Sequence, residues 1–311
     1  MIIPGDKSIS HRALIFGSLA IGTTRVRGLL EGDDVMSTKD ALIALGVEIY
    51  RDDDAVWHIV GVGRNGMVSP VAPLDLGNSG TGVRLLMGAV AGQKITTTFF
   101  GDASLSGRPM ARVTDPLVKM GASITSRDGG LLPITIRGAG DLIAANHRSE
   151  IASAQIKSAI LLAGLNARGT TIVREPHASR DHSESMLRHF GASVVQEIDD
   201  DQSHRVSLAE GAILRAKDIF VPGDPSSAAF AIVAALITPG SDITLKSVSM
   251  NPLRTGLITT LQEMGGNITK TNQRIEGGEI VADLRVKQSK LHGITVPPDR
   301  AASMIDEYPI L

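Results

Sequence analysis

Apolar helical segments alternate with short extended segments along this chain, and their order repeats about every seventy residues. In each repeat, one apolar helix follows a polar leading segment, and a second helix ends at a glycine. Glycine readily adopts the left-handed conformation that closes many helices. The second helices are therefore predicted to end at Leu45-Gly46, Met120-Gly121, Phe190-Gly191 and Met264-Gly265.

Extended segments follow these glycines and predict β-hairpins. They run over residues 47–50, 122–126, 192–195 and 267–271. Polar turns come next, followed by second strands that include residues 56–60 and 132–137. Turn residues between β-branched flanks are typical of hairpins. Four repeats of helix, strand, helix and strand-turn-strand predict an α/β fold built by internal duplication.

The leading segment of each first helix carries hydroxyl groups, and most also carry a lysine or an arginine. Their serines, Ser8, Ser79, Ser153 and Ser226, are 71, 74 and 73 residues apart. The first apolar helix is predicted over residues 13–20, directly after the polar stretch that contains Ser8. A helix N-terminus offers unpaired N–H groups and a partial positive charge, which suit phosphate or carboxylate. The pattern therefore predicts a site for a small, multiply anionic substrate.

Composition narrows the class of protein but does not identify it. The formal charge is −2, so no global field favours nucleic acid or an acidic membrane surface. The chain has no cysteine, which excludes disulfides, thiolate metal sites and a cysteine nucleophile. The longest apolar run, residues 228–237, is too short to span a bilayer. We expect a soluble cytoplasmic protein without a signal peptide.

Other common site motifs are absent or incomplete. Lys7-Ser8 follows Asp6 rather than glycine, which excludes a P-loop. The histidines lack metal-ligand spacing, and neither a Gly-x-Ser-x-Gly elbow nor a dinucleotide fingerprint occurs. Arg108 and Arg180 each precede the second helix of their repeat. They are either inherited with the repeat or form a second set of anion contacts.

Seven ordered motifs together resemble one family, 5-enolpyruvylshikimate-3-phosphate synthase (3-phosphoshikimate 1-carboxyvinyltransferase), of the class II type. The resemblance runs from residue 4 to residue 311. Its motifs cover residues 4–12, 77–84, 101–110, 152–155, 180–182, 221–227 and 306–309.

This resemblance implies the enolpyruvyl transferase fold, an inverse α/β barrel of repeated βαβαββ units in two lobes. It also implies transfer of the carboxyvinyl group of phosphoenolpyruvate to the 5-hydroxyl of shikimate 3-phosphate, with release of phosphate, in the shikimate pathway of aromatic amino acid and chorismate biosynthesis. The reaction proceeds by addition and elimination and requires no cofactor and no metal. Glyphosate occupies the phosphoenolpyruvate pocket in this family, and a methyl group at the position of Gly80 obstructs it.

The resemblance also implies roles for individual residues in binding the acceptor. Ser8 and Arg12 correspond to ligands of shikimate 3-phosphate, Arg12 through the carboxylate. Ser153, the backbone at Ala154, and Arg180 correspond to groups that hold its 3-phosphate side.

The remaining implied roles concern the donor and the chemistry. Gly80 and Arg108 line the phosphoenolpyruvate pocket, and Gln155 lies between the two substrates. Lys7 contacts both substrates and shares in proton transfer. Asp306 hydrogen-bonds the reacting hydroxyl and serves in acid/base catalysis. A helix N-cap before Tyr308-Pro309 is the simpler interpretation of this residue, and the two roles are compatible.

The chain departs from the family pattern beyond the motif at Asp306. It has no counterpart of the family's later Lys-Glu-Ser-Asp-Arg and Asp-His-Arg segments. We therefore expect a C-terminally truncated form, with a complete lobe at residues 6–221 and a partial lobe at residues 1–5 and 222–311. A complementing C-terminal chain is a possible partner.

Two other functions remain open from the sequence. A sibling enolpyruvyl transferase that acts on a UDP-sugar shares the fold and the donor, but typically carries a cysteine in its donor loop, and this chain has none. A non-catalytic or complementation-dependent fragment that binds shikimate 3-phosphate is the second alternative.

Overall fold

The computed structural model describes all 311 residues, which form nine α-helices and seventeen strands. The helices are α1 (Lys7–Leu19), α2 (Asp33–Ala44), α3 (Gly80–Ala91), α4 (Ala103–Ser106), α5 (Ala111–Met120), α6 (Ala154–Gly164), α7 (His182–His189), α8 (Pro225–Ile237) and α9 (Gly256–Glu263). Short 3-10 helices lie at Pro252–Arg254, Pro298–Ser303 and Ile305–Glu307.

The strands are short and lie between these helices. They are β1 (Ile21–Arg27), β2 (Glu48–Arg51), β3 (Trp57–Val62), β4 (Leu74–Asp75), β5 (Thr96–Phe100), β6 (Ser123–Arg127), β7 (Leu131–Arg137), β8 (Leu142–Ile143), β9 (Asn146–Arg148), β10 (Ala167–Arg168), β11 (Thr171–Glu175), β12 (Val194–Ile198), β13 (His204–Leu208), β14 (Ile219–Phe220), β15 (Asp242–Ser249), β16 (Asn267–Glu276) and β17 (Glu279–Lys287).

The predicted hairpins are confirmed. The pairs β2/β3, β6/β7, β12/β13 and β16/β17 are all antiparallel. The glycines after the second helices, Gly46, Gly121, Gly191 and Gly265, all have positive φ angles between 91° and 117°. These φ angles explain why glycine recurs after the second helices, since a residue with a side chain would be strained in that conformation.

Two compact units divide the chain. The large unit comprises residues 10–27 and 31–219, and the small unit comprises residues 1–9, 28–30 and 220–311. None of the helices combines the length and the apolar character that crossing a bilayer requires.

In the large unit, the apolar helices α3 and α6 pack against each other and are almost fully buried. They approach each other closely at Gly88, where an added Cβ would lie 2.2 Å from the carbonyl oxygen of Ala159. The sheets β4-β5-β7-β6 and β12-β13-β11-β9 belong to this unit, as does the group β1-β3-β2. Because α3 and α6 are fixed by backbone contact, their first turns are fixed relative to each other.

The small unit is built on the sheet β15-β17-β16. Helices α8 and α9 contact this sheet, and Ile232, Leu236, Leu257 and Leu284 belong to their shared core. Asp224 caps α8 by accepting a hydrogen bond from the N–H of Ser226 at 3.0 Å, as its position before Pro225 suggests.

One predicted local feature is wrong. The first helix begins at Lys7 rather than Ala13, because the Asp6 carboxylate accepts the N–H of Ile9 at 2.9 Å and thereby caps a helix that includes the polar stretch. Asp306 lies in the 3-10 helix Ile305–Glu307.

Candidate functional site

The first turns of α3 and α6 are linked by side chains in the large unit. Ser79 caps α3 and Ser153 caps α6; each hydroxyl accepts from the N–H three residues on, at 3.1 Å and 3.5 Å. The Gln155 amide donates to the Thr81 hydroxyl at 2.9 Å and so joins the two helix starts. Two helix N-termini held together in this way provide a positive environment for an anion.

Arg12 lies behind these helix starts and is only 2% exposed. Its Nε donates to the Ser183 hydroxyl at 2.8 Å, and its Nη2 donates to the Ser158 hydroxyl at 2.9 Å. The two serine hydroxyls are 2.6 Å apart, and Ser158 also donates to the carbonyl of Ala154 at 2.5 Å. Arg12 therefore joins the first turn of α7, through Ser183, to the second turn of α6, through Ser158.

Three buried charged residues lie next to this arginine network. The Lys157 ammonium is 2.9 Å from a carboxylate oxygen of Glu175 and 2.8 Å from one of Glu184. Burial raises the pKa of Glu184 above its ordinary value, against the opposing effect of Lys157. Burial lowers the pKa of Lys157, but the charges of Glu184 and Glu175 outweigh it and raise that pKa above its ordinary value.

Two guanidinium groups converge at Gly80, the first residue of α3. An added Cβ at this glycine would lie 2.8 Å from Nη1 of Arg84 and 3.1 Å from Nη1 of Arg108. Arg84 donates to the Gly80 carbonyl at 3.0 Å, and Arg108 donates to Asn78 at 2.7 Å and Ser104 at 3.0 Å. Burial lowers the pKa of Arg84, and the like charge of Arg108 lowers it further. An anion at Gly80 would relieve this repulsion.

A separate acidic cluster surrounds one arginine in the small unit. Arg254 lies 3.4 Å from an oxygen of Asp6 and 3.0 Å from one of Asp224, and donates to the Ser226 hydroxyl at 2.8 Å. Ser226 also donates to Glu307. Burial raises the pKa of Asp224 above its ordinary value, and the charges of Asp6 and Glu307 add to that rise against Arg254.

The comparisons with known proteins identify the family. The sequence profile described as EPSP synthase (3-phosphoshikimate 1-carboxyvinyltransferase) matches residues 1–311. The 3-phosphoshikimate 1-carboxyvinyltransferase of Granulibacter bethesdensis is 58% identical over 310 residues, which cover 99% of this chain and 68% of that protein. That of Methylorubrum populi is 59% identical over 311 residues, covering 99% and 69%. The chain belongs to the EPSP synthase family.

Solved structures support the same assignment. The chain superposes on EPSP synthase from Acinetobacter baumannii with a TM-score of 0.92 and 46% identity. The match covers 99% of this chain and 69% of that one. The α/β fold is thus that of EPSP synthase over about 70% of its length.

The structure brings some of the predicted site residues together. Within the large unit, Ser153, Ala154 and Gln155 form the start of α6, and Gln155 bonds to the start of α3 beside Gly80. Arg180 lies in the turn before α7, and Arg108 reaches Gly80 from the turn before α5. The other predicted residues, Lys7, Ser8 and Asp306, belong to the small unit. Lys7 and Ser8 form the first turn of α1.

The sequence interpretation missed the buried supporting residues of this EPSP synthase chain. They are Glu175, Glu184 and Lys157 in the large unit, and Arg254 and Glu307 in the small unit. One signal was available for Lys157, since it is the single charge in the apolar run from Ile156 to Leu165. Arg254 also had a signal, because it precedes the second helix of its repeat as Arg180 does.

Proposed function

We propose that this chain carries out the reaction of its family. The carboxyvinyl group passes from phosphoenolpyruvate to the 5-hydroxyl of shikimate 3-phosphate, which gives 5-enolpyruvylshikimate 3-phosphate and phosphate. The observation that carries the proposal is the convergence of Arg84 and Arg108 at Gly80, beside the linked helix starts of α3 and α6. This arrangement matches the demand of the reaction for neutralised phosphate and carboxylate groups.

The acceptor takes its 3-phosphate to the start of α6. Ser153, the backbone at Ala154 and Arg180 hold the phosphate, and Ser8 and Arg12 hold the rest of the acceptor. Ser153 lies at the helix N-terminus, where N–H groups and the helix dipole favour an anion. The buried position of Arg12 supports a fixed orientation of its guanidinium toward a ligand carboxylate.

The donor lies at Gly80. Arg108 binds its phosphate or carboxylate together with Arg84, and the absent side chain at Gly80 leaves room for close approach. Gln155 lies between the donor and the acceptor. Its hydrogen bond to Thr81, which joins the starts of α6 and α3, supports this position.

The chemistry requires proton transfer at the hydroxyl and at C3. The 5-hydroxyl loses its proton as its oxygen attacks C2 of phosphoenolpyruvate, and a proton is added at C3, which gives a tetrahedral intermediate. The bond from C2 to the phosphate oxygen then breaks, and a proton leaves C3. We infer that Asp306 hydrogen-bonds the reacting hydroxyl and serves in acid/base catalysis. Lys7 contacts both substrates and shares in the proton transfer.

The finer architecture is also a proposal. The fold is the family's inverse α/β barrel, with three repeats in a lobe at residues 6–221 and a second lobe that contains residues 1–5 and 222–311. The three repeats of helices and hairpins within the large unit support this arrangement.

Arg180 provides the test of the acceptor site. Replacing Arg180 with alanine removes a charge-assisted contact worth about 1.5–3 kcal/mol, so affinity for shikimate 3-phosphate should fall at least about tenfold in isothermal titration. Binding to the wild-type chain should also weaken as salt rises. Arg168→Ala is the matched control, because it removes the same charge from a side chain that is 77% exposed. Equal affinity in the Arg180 and Arg168 variants would remove Arg180 from the site.

A complementation-dependent function is the second candidate, and helix α8 favours it. Phe230 and Ile237 on this helix are each 62% exposed, and Ala234 between them is also exposed. These positions share one helix face. The matching helices α3 and α6 bury their apolar faces against each other. We infer that the α8 face binds a further repeat, supplied by the third of the relatives' length that this chain does not match.

Phosphate release tests this second candidate. The chain alone should give little phosphate release, because losing even one preorganised electrostatic contact costs about 10²–10³ in rate. Adding a polypeptide with the unmatched third of a relative should restore the release. Phe230→Asp should prevent restoration while leaving titration with shikimate 3-phosphate unchanged. Full activity of the purified chain alone would contradict the proposal.

A further inference from the structure

The buried cluster of Lys157, Glu175 and Glu184 holds two segments that the proposed function assigns to the phosphate. One oxygen of Glu175 accepts the backbone N–H of Ser153 at 2.7 Å. The other oxygen accepts the hydroxyl of Ser179 at 2.7 Å. Lys157 donates to the carbonyl of Ser179 at 3.2 Å. The cluster therefore connects the cap of α6 to the residue directly before Arg180.

Stability alone does not account for this arrangement. Each of the three charged side chains is at most 3% exposed, and charges removed from water carry a large desolvation cost. Apolar side chains of similar volume often stabilise a protein as well as a buried ion pair does. What an apolar replacement could not reproduce is the set of hydrogen bonds to the Ser153 N–H and to both the hydroxyl and the carbonyl of Ser179.

We propose that Lys157 and Glu175 are positioning residues that fix Ser153 and Arg180 at the spacing at which both bind one phosphate group. The inference rests on the proposed function, which places the 3-phosphate of the acceptor between these two residues. Lys157 and Glu175 do not touch the substrate themselves. They act through the Ser153 N–H and the segment at Ser179.

A double-mutant cycle tests this role by isothermal titration with shikimate 3-phosphate. The variants are Lys157→Met, Arg180→Ala and the double variant, with Lys94→Met as the control that removes an exposed lysine from the same unit. Lys157→Met should weaken binding about tenfold, the loss expected for one charge-assisted contact. In the chain that already carries Arg180→Ala, Lys157→Met should weaken binding by less than half of that factor, because the position of Arg180 no longer affects the affinity.

A merely structural role predicts a different result. In that case Lys157→Met lowers the melting temperature, and its effect on affinity multiplies with that of Arg180→Ala without coupling. Such independence would overturn the inference, as would unchanged affinity in a folded Lys157→Met chain. If Lys157→Met does not fold, Glu175→Gln takes its place in the same cycle, since the amide oxygen still accepts the Ser153 N–H while the ion pair is lost.

The cycle separates this inference from the proposed function. If Arg180→Ala alone leaves the affinity unchanged, the assignment of Arg180 to the phosphate fails. If Arg180→Ala weakens binding and the two substitutions act independently, only the positioning role fails.

Discussion

Replacing Gly88 with alanine should separate the two helices whose first turns form the proposed anion site. The added Cβ would lie 2.2 Å from the carbonyl oxygen of Ala159, 2.6 Å from its Cα and 2.7 Å from its carbonyl carbon. All three atoms belong to the backbone of α6, so no side-chain rotation can relieve the contact. To reach the ordinary contact range that begins at 3.4 Å, the helices must move apart locally by about 1.2 Å.

Two opposing effects decide the sign of the stability change. Alanine is favoured over glycine in a helix interior by about 1 kcal/mol. Overpacking a close-packed core costs about 1–3 kcal/mol, and a backbone contact this short belongs at the upper end of that range. We therefore expect the free energy of unfolding to fall by about 2 kcal/mol. The separation should also stretch the hydrogen bond from Gln155 to Thr81 and weaken binding of shikimate 3-phosphate.

Urea unfolding of the wild-type chain and the variant measures this change. Gly107→Ala is the control: its φ is −86°, and an added Cβ would meet only carbonyl oxygens at 3.6 Å and 3.7 Å. The control should change stability little. If Gly88→Ala is as stable as wild type, or more stable by the amount that helix propensity gives, the reasoning from close helix packing is refuted.

Two further predictions concern the donor pocket and the acidic cluster. Gly80→Ala should leave the fold intact, because the two atoms nearest the added methyl are the side-chain ends of Arg84 and Arg108 rather than backbone, but it should raise the apparent KM for phosphoenolpyruvate and relieve glyphosate inhibition. Phosphate-release kinetics with the complementing polypeptide measure both effects, and equal inhibition of the two forms would assign selectivity to another residue. Asp224→Asn should stabilise the chain at neutral pH. Because the pKa of Asp224 is raised in the folded state, folding favours the protonated carboxyl. The free energy of unfolding that Asp224 contributes is therefore present below its ordinary pKa of 3.8 and is lost as the pH rises through its folded-state pKa. The gain in urea unfolding should vanish below pH 3.8, and a gain that is independent of pH would contradict this cause.

The repeat architecture could be predicted because its signals are local. A glycine with positive φ closes a helix through the conformation of that one residue, so Gly46, Gly121, Gly191 and Gly265 could be recognised from neighbouring letters. The hairpins follow from strand and turn residues within about ten positions, and each hairpin pair formed as predicted.

The supporting networks could not be predicted, since they join residues that are distant in sequence. Lys157 pairs with carboxylates that lie on β11 and α7, and nothing near Lys157 in the sequence specifies either of them. The early start of α1 was missed for another reason. A polar stretch can be helical when an aspartate caps it, and Asp6 was interpreted only as a residue that excludes a P-loop.

The arginine before the second helix shows that repetition fixes position but not role. Arg108 and Arg254 both occupy this place, in the second and fourth repeats. The hydrogen-bond partners of Arg108 are the neutral side chains of Asn78 and Ser104, so its charge remains available to an anion at Gly80. Arg254 is buried against Asp6 and Asp224, and its charge is already neutralised. For Arg108 and Arg180, the sequence left open whether they are inherited with the repeat or form a second set of anion contacts. Arg254 occupies the same place in its repeat without a charge available to a ligand, so the neighbouring side chains, rather than the position, determine whether such a charge can reach a ligand.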